Sequence, residues 1–314
     1  MSNEMRLSDY RSSGREPYIF RASGPEGLVG VHAGLIASAL QPKESIHYLL
    51  YAPVRKAEKA PFDIQADPGS HAVAVTGRRF LISRDLHEES AAPSIQSIPF
   101  NRVLYIEIGS ALLLGWLVIT FENERALSRS SLFYTSTGSH HFEAAVREYR
   151  RLTEKAHAIS QGENIGWYAA WRLTPRSQLD LLKSLTTDDE RPLDILRFRE
   201  KWKEGEKRNK KICLTTDGIL LAMDRGGCLY ITEERPISPG ILAYGINACC
   251  FPISAIRSAM VVKRTNKNSV SDYVRIELER MPVVFPFDIP LAREEFESAE
   301  RWLGHLKQLL NGEG

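Results

Sequence analysis

Two stretches far apart in the chain close on the same device, and that recurrence limits the fold more than any other feature. Ser139 to His157 spaces Phe142, Ala145, Tyr149, Leu152 and Ala156 along one helical face. Leu291 to Leu310 does the same with Phe296, Ala299, Leu303, Leu306 and Leu310. Apolar residues three and four apart make a single stripe. Such a stripe needs an apolar surface to cover. Each helix is preceded by short alternating segments that can supply a sheet.

In the first series, Gly34 to Leu40 is helix-compatible and stopped by Pro42. Ile46 to Val54 reads as a strand, and Arg55 to Lys59 as a charged loop. His71 to Thr76 alternates, Gly77-Arg78-Arg79 turns the chain, and Phe80 to Ser83 returns. A short segment with Ile98 and Pro99 leads into a strand with Leu104, Ile106 and Ile108 on one face. Gly109-Ser110 reads as a turn, after which Leu117, Ile119 and Phe121 align. Ser130 to Thr135 is the last strand before the helix.

The second series repeats the order. Leu179 to Leu185 stands for the opening helix and Leu193 to Phe198 for the first strand. Ile212 to Thr215, a turn at Thr216-Asp217-Gly218, and Ile219 to Met223 read as the hairpin, so that LTTDGILL aligns with VTGRRFLI. Phe251 to Ile256 aligns with Ile98 to Val103. Tyr273 to Glu279 and Pro282 to Phe287 complete the strands. A repeat this long means duplicated domains, since solenoid periods run to about 20–50 residues.

The expected plan is a flexible tail at 1–30, a first domain at 31–158, a linker at 159–178 and a second domain at 179–314. Trp167, Tyr168 and Trp171 make the linker too aromatic for a flexible one, so it is expected to pack. No apolar h-region opens the chain, and the apolar run Ala111 to Phe121 is too short for a bilayer helix, which needs about 20 residues. Four cysteines without C-x-x-C spacing are expected to be reduced, in a cytoplasmic protein.

Thr76 and Arg79 before the hairpin's return, followed by Ile98-Pro99 and Val103, resemble the bacterial pleckstrin-homology-like family. The resemblance covers residues 35–157 and, with Gly218 and Phe251 replacing the arginine and isoleucine, 179–310. It implies an α+β, mostly β fold. Two tandem barrels of about seven antiparallel strands would each be closed by a C-terminal helix. It also implies oligomeric members and, by analogy with eukaryotic relatives, headgroup binding at the loop after the first strand.

That loop is the strongest surface feature. Arg197 to Lys211 holds Arg197, Arg199, Lys201, Lys203, Lys207, Arg208, Lys210 and Lys211 against Glu200, Glu204 and Glu206. Beside an anionic membrane each cation contributes about 1 kcal/mol. Trp202 could sit at the interface. The plain alternative is a solvated charged face. The chain's net charge of +2 argues against nucleic acid as a partner.

Other candidates are weaker. His140 and His141 are adjacent, so their side chains diverge by about 100° and make a poor metal pair. Asp188, Asp189 and Glu190 read as a solvated turn. Cys249 and Cys250 read as small, partly buried residues, and Trp302 as core. No G-x-S-x-G, H-E-x-x-H, Walker or Rossmann motif occurs. The expected function is a non-enzymatic binding or scaffold protein with a protein partner or a second copy of itself, and no cofactor. Association with an anionic lipid surface through residues 197–211 is the first alternative. An enzyme of unrecognised type is the second.

Overall fold

The computed structural model describes residues 18–53, 69–86, 92–111, 113–153, 166–204, 211–225, 227–234, 245–266 and 269–311. The charged loop expected at Arg55 to Lys59 lies outside them. The first half runs β1 (Phe20–Arg21), α1 (His32–Ala39), β2 (Ile46–Ala52), β3 (Ser70–Thr76), β4 (Arg79–Asp85) and β5 (Ser94–Pro99). It continues with β6 (Val103–Ala111), β7 (Leu114–Asn123), β8 (Ala126–Thr135) and α2 (Ser139–Thr153). Next come α3 (Gly166–Leu173) and α4 (Arg176–Leu185). The second half holds β9 (Pro192–Phe198), β10 (Lys201–Glu204), β11 (Lys211–Thr215), β12 (Gly218–Met223), β13 (Gly227–Glu234) and β14 (Gly245–Pro252). It ends with β15 (Ile256–Asn266), β16 (Ser269–Arg280), β17 (Val283–Leu291) and α5 (Phe296–Asn311).

The chain is α+β and mostly β, and its sheets are open. The expected closed barrels are not what forms. β1-β2-β3-β4-β5 make one antiparallel sheet, β15-β16-β17 another, and β10-β11 a two-stranded arm. The remaining sheet has seven strands in the order β8-β7-β6-β14-β13-β12-β9, and so combines both halves.

The halves repeat in detail. In each, a strand ends in Pro99 or Pro252, a 3-10 turn follows at 100–102 or 253–255, and the next strand starts at Val103 or Ile256. Proline fixes φ near the value such a corner needs, which passes the chain from one sheet to the next. The pairing of β6 with β7 slips between Val103 and Tyr105, and that of β15 with β16 slips between Ile256 and Ser258. β2–β3 and β9–β12 likewise share an irregularity at the start of the first strand. These bulges equate β3 with β12 and β4 with β13. The expected hairpin from Ile212–Thr215 to Ile219–Met223 is therefore corrected. β11 pairs with β10, while β12 pairs with β9 and β13.

Alternation sorts the side chains into layers. Leu50, Val73, Val75, Ile82 and Ile98 share a core with Ile106, Ile108, Leu117, Ile119 and the α2 residues Phe142, Ala145 and Tyr149. The opposite face of that first sheet packs Leu49, Tyr51, Ala72, Ala74 and Leu81 beneath Ile36 of α1, with Leu28 and Val29 of the expected tail. In the second half, Leu220, Ala222, Cys228, Cys249 and Phe251 meet β15–β17 and Ala299, Trp302, Leu303 and Leu306 of α5. Ile219, Leu221, Leu229, Ile231, Ala248 and Cys250 point the other way, under Leu182 and Leu185 of α4, and join the first half's core.

The expected turn at Gly109-Ser110 is strand, since β6 continues to Ala111. Gly109 sits opposite Trp116 because a β-carbon there would strike the indole ring. Gly115 faces Tyr134 for the same reason on the other side of β7.

Candidate functional site

The joint between the halves is a strand addition. β6 and β14 pair antiparallel over six positions, from Gly245 opposite Ala111 to Cys250 opposite Ile106. Backbone hydrogen bonds hold such a joint, and alternating side chains seat it in the layers on either side. On the layer away from α2, Trp116 donates its Nε1–H to Glu107 Oε1 at 3.2 Å. Burial pushes the Glu107 carboxyl above the usual carboxylate range. Nothing in the local sequence announced this joint, since Val103–Ala111 and Gly245–Pro252 read as two ordinary strands.

A second link was hidden in the acidic cluster. Glu190 is not on a solvated turn. Its side chain is 0% exposed and takes the guanidinium of Arg150, itself 1% exposed. Arg150 also donates to the backbone oxygen of Leu185 at 2.7 Å, and the Glu190 oxygen accepts from Trp167 Nε1 at 2.7 Å. Of the linker aromatics Trp167 packs against the first core, while Tyr168 and Trp171 stay exposed, and the Trp171 ring lies 6.0 Å from that of Trp167. Asp189 pairs with Arg225 at the surface.

The basic segment is not a simple loop. Phe198 pairs with Gly218, and past a break at 199–200 and 216–217, Lys201 pairs with Thr215. The arm thus continues the β9–β12 hairpin. Arg197 lies on β9 and is exposed. In the backbone register Lys203 of β10 stands opposite Ile212 and Lys211 of β11 opposite Glu204, with an irregularity between Lys201 and Trp202. Lys207, Arg208 and Lys210 lie outside the described residues, and of Trp202 only the backbone position is described.

A cleft of about 370 Å³ opens beside β1 and β2, lined by Arg21, Ser23, Ile46, His47 and Tyr48 among others. Arg21 lies over the Tyr48 ring at 4.9 Å, and the Tyr48 hydroxyl is 3.4 Å from Nδ1 of His141. Burial raises the Tyr48 hydroxyl, and burial with the neighbouring His140 and Arg21 lowers the His141 imidazole. His47 lies 3.6 Å from Glu148. His141 therefore meets the cleft through Tyr48, and the His140 ring lies 4.0 Å from the His141 ring. Among the described residues, no group of three or more His, Cys, Asp or Glu is placed to hold a metal.

Cys228, Cys249 and Cys250 are buried thiols, and Trp302 is fully buried in the second core. Among the described residues, no helix is long and apolar enough to cross a membrane. Compared with protein-family models, with curated proteins and with solved structures, the chain gives no significant match.

Proposed function

We propose that the chain is a non-enzymatic binding scaffold built from two pleckstrin-homology-like units, and that its partners are polypeptides added along open sheet edges. The observation that carries this reading is the β6–β14 joint, where an edge of one half already takes a strand from the other. Edge strands present unpaired N–H and C=O groups that a further strand can satisfy. A photo-crosslinking residue at Ser97 on β5 or at the exposed Leu127 on β8 should yield polypeptide adducts in the cells that make the protein. The same residue at Glu300 on α5 should not. Equal labelling at all three, or none at the edges, would contradict the reading.

A second reading, docking to an anionic membrane, is supported by the arm. Lys201 and Lys203 lie on one strand of that arm and Lys211 on the other, and the sequence between the strands carries Lys207, Arg208 and Lys210. Sedimentation with anionic but not neutral vesicles, lost as salt shortens the Debye length below about 10 Å, would support it. No sedimentation at low salt would remove it.

A further inference from the structure

The joint inside the chain is heterologous. It uses the corner strand of the first half's three-stranded unit, β6, and the last strand of the second half's four-stranded unit, β14. The repeat supplies a second copy of each surface. β15 is the counterpart of β6, and β5 is the counterpart of β14. Among the described residues, β15 pairs only with β16, and β5 only with β4. One molecule therefore carries both halves of a joint it has already made once, and its own two remaining halves belong to opposite ends of the repeat.

From this we infer that the chain assembles head to tail, with β15 of one copy pairing antiparallel with β5 of the next. The inference rests on the edge-binding reading and names its partner as a second copy of this chain.

The register follows from the repeat. The corner prolines equate Phe251 with Ile98, and the shared bulge equates Ile256 with Val103. In the existing joint Ile106 faces Cys250, Glu107 faces Cys249 and Ile108 faces Ala248. The equivalent contacts set Ala259 opposite Ser97, Met260 opposite Gln96 and Val261 opposite Ile95. Met260 is exposed at 37%, although it is apolar and lies in a strand. Ile95 and Val261 are half-buried at the margins of the first half's outer core and the second half's core. Pairing them would fuse those two cores, as Ile108 and Ala248 share one core now.

The helices agree. In the existing joint α2 packs against α4, and Arg150 reaches the end of α4 at Leu185. Their counterparts at the new joint are α5 and α1. The position matching Arg150 is Gly304, and a β-carbon there would meet nothing within the chain. The same is true of Gly34 in α1. A glycine inside an exposed helix costs about 1 kcal/mol relative to alanine, a cost that close approach of a second helix would explain. Beyond Val262 the new joint must end early. The next residue, Lys263, falls opposite Pro93, which has no N–H to donate. The joint is therefore shorter than the one within the chain, and assembly depends on concentration. A heterologous joint of this kind propagates into a ring or a filament.

The test uses the full chain. Wild type should show a mass in sedimentation velocity that rises with concentration. An equimolar mixture of Ile95→Cys and Val261→Cys chains should form an interchain disulfide that neither makes alone. The native cysteines at 228, 249 and 250 are buried, and both chains carry Cys213→Ser so that the fourth native thiol gives no background. Gly304→Gln should melt no lower than wild type yet bind its neighbour about tenfold more weakly, or about 1.4 kcal/mol. A monomer at every concentration, or a mixture that does not cross-link, overturns head-to-tail assembly. Adducts to other proteins at Ser97 and Leu127 would in that case leave the edge-binding reading standing, and their absence would remove both.

Discussion

Arg150 on α2 and Glu190, just before β9, form an ion pair with neither side chain exposed by more than 1%. The pair spans the two halves. Arg150 additionally holds the C-terminal carbonyl of α4 at Leu185, and the second carboxylate oxygen of Glu190 accepts the Thr187 N–H at 3.2 Å. A buried charge that loses its partner stays uncompensated. Arg150→Met or Glu190→Gln alone should therefore destabilise the protein by about 3–5 kcal/mol in denaturant titration. The double variant should cost clearly less than the sum. Additive losses would mean that the two groups do not act on each other.

Acid should weaken the fold in two stages. His71 is fully buried, and burial next to Arg84 lowers its imidazole to about 3. A base held neutral in the folded state gives up stability as pH falls below its unfolded value of 6.5, and continues to do so down to about 3. Glu44 is held at about 2 by the two-pronged Arg79 guanidinium, at 2.9 and 2.6 Å. Its contribution is complete above the unfolded value of 4.5 and is lost as pH falls toward 2. His71→Leu should flatten the upper limb of a stability–pH curve, and Glu44→Gln the lower. An unchanged curve in either variant contradicts the assignment.

The Arg79 network also shows how far local sequence signals reach. Thr76 Oγ1 accepts the backbone N–H groups of Arg78 and Arg79, at 3.3 and 3.1 Å, so the Thr76–Arg79 pattern forms a real turn. The two closing helices and the two proline corners were legible for the same reason, because their causes lie within a few residues. The hairpin around Thr216-Asp217-Gly218 misled because Asp-Gly is a turn signal. Here Asp217 serves tertiary contacts instead. Its carboxylate accepts the Glu200 N–H at 2.9 Å, and its carbonyl accepts Gln178 Nε2–H at 2.9 Å. The β6–β14 joint and the Arg150–Glu190 pair were illegible because each partner looks ordinary until the fold brings the two together.

The glycine–aromatic pairs of β7 should be intolerant of small changes. Gly115→Ala forces the Tyr134 ring away from Phe142, with which it now stacks at 3.7 Å. Overpacking of this kind costs about 1–3 kcal/mol. Trp116→Ala, which empties the space over Gly109, should cost about 3–5 kcal/mol. Thermal melts read both. A Gly115→Ala variant as stable as wild type would contradict the packing of that face.

Reversing Lys207, Arg208, Lys210 and Lys211 to glutamate replaces four positive charges with four negative ones. Any vesicle binding should disappear in the same variant. Vesicle binding that persists would place the contact elsewhere.

One seven-stranded sheet joins the two halves, which should therefore unfold as a single cooperative unit. Native-state hydrogen exchange measures it most directly. Amides of Ile106, Ile108, Ala248 and Cys250 should exchange only with global unfolding, at the same free energy as Leu220 and Leu221 within the second half. Exchange at the β6–β14 joint well below that free energy, with each half's inner strands still protected, would show two units that open apart and would contradict it.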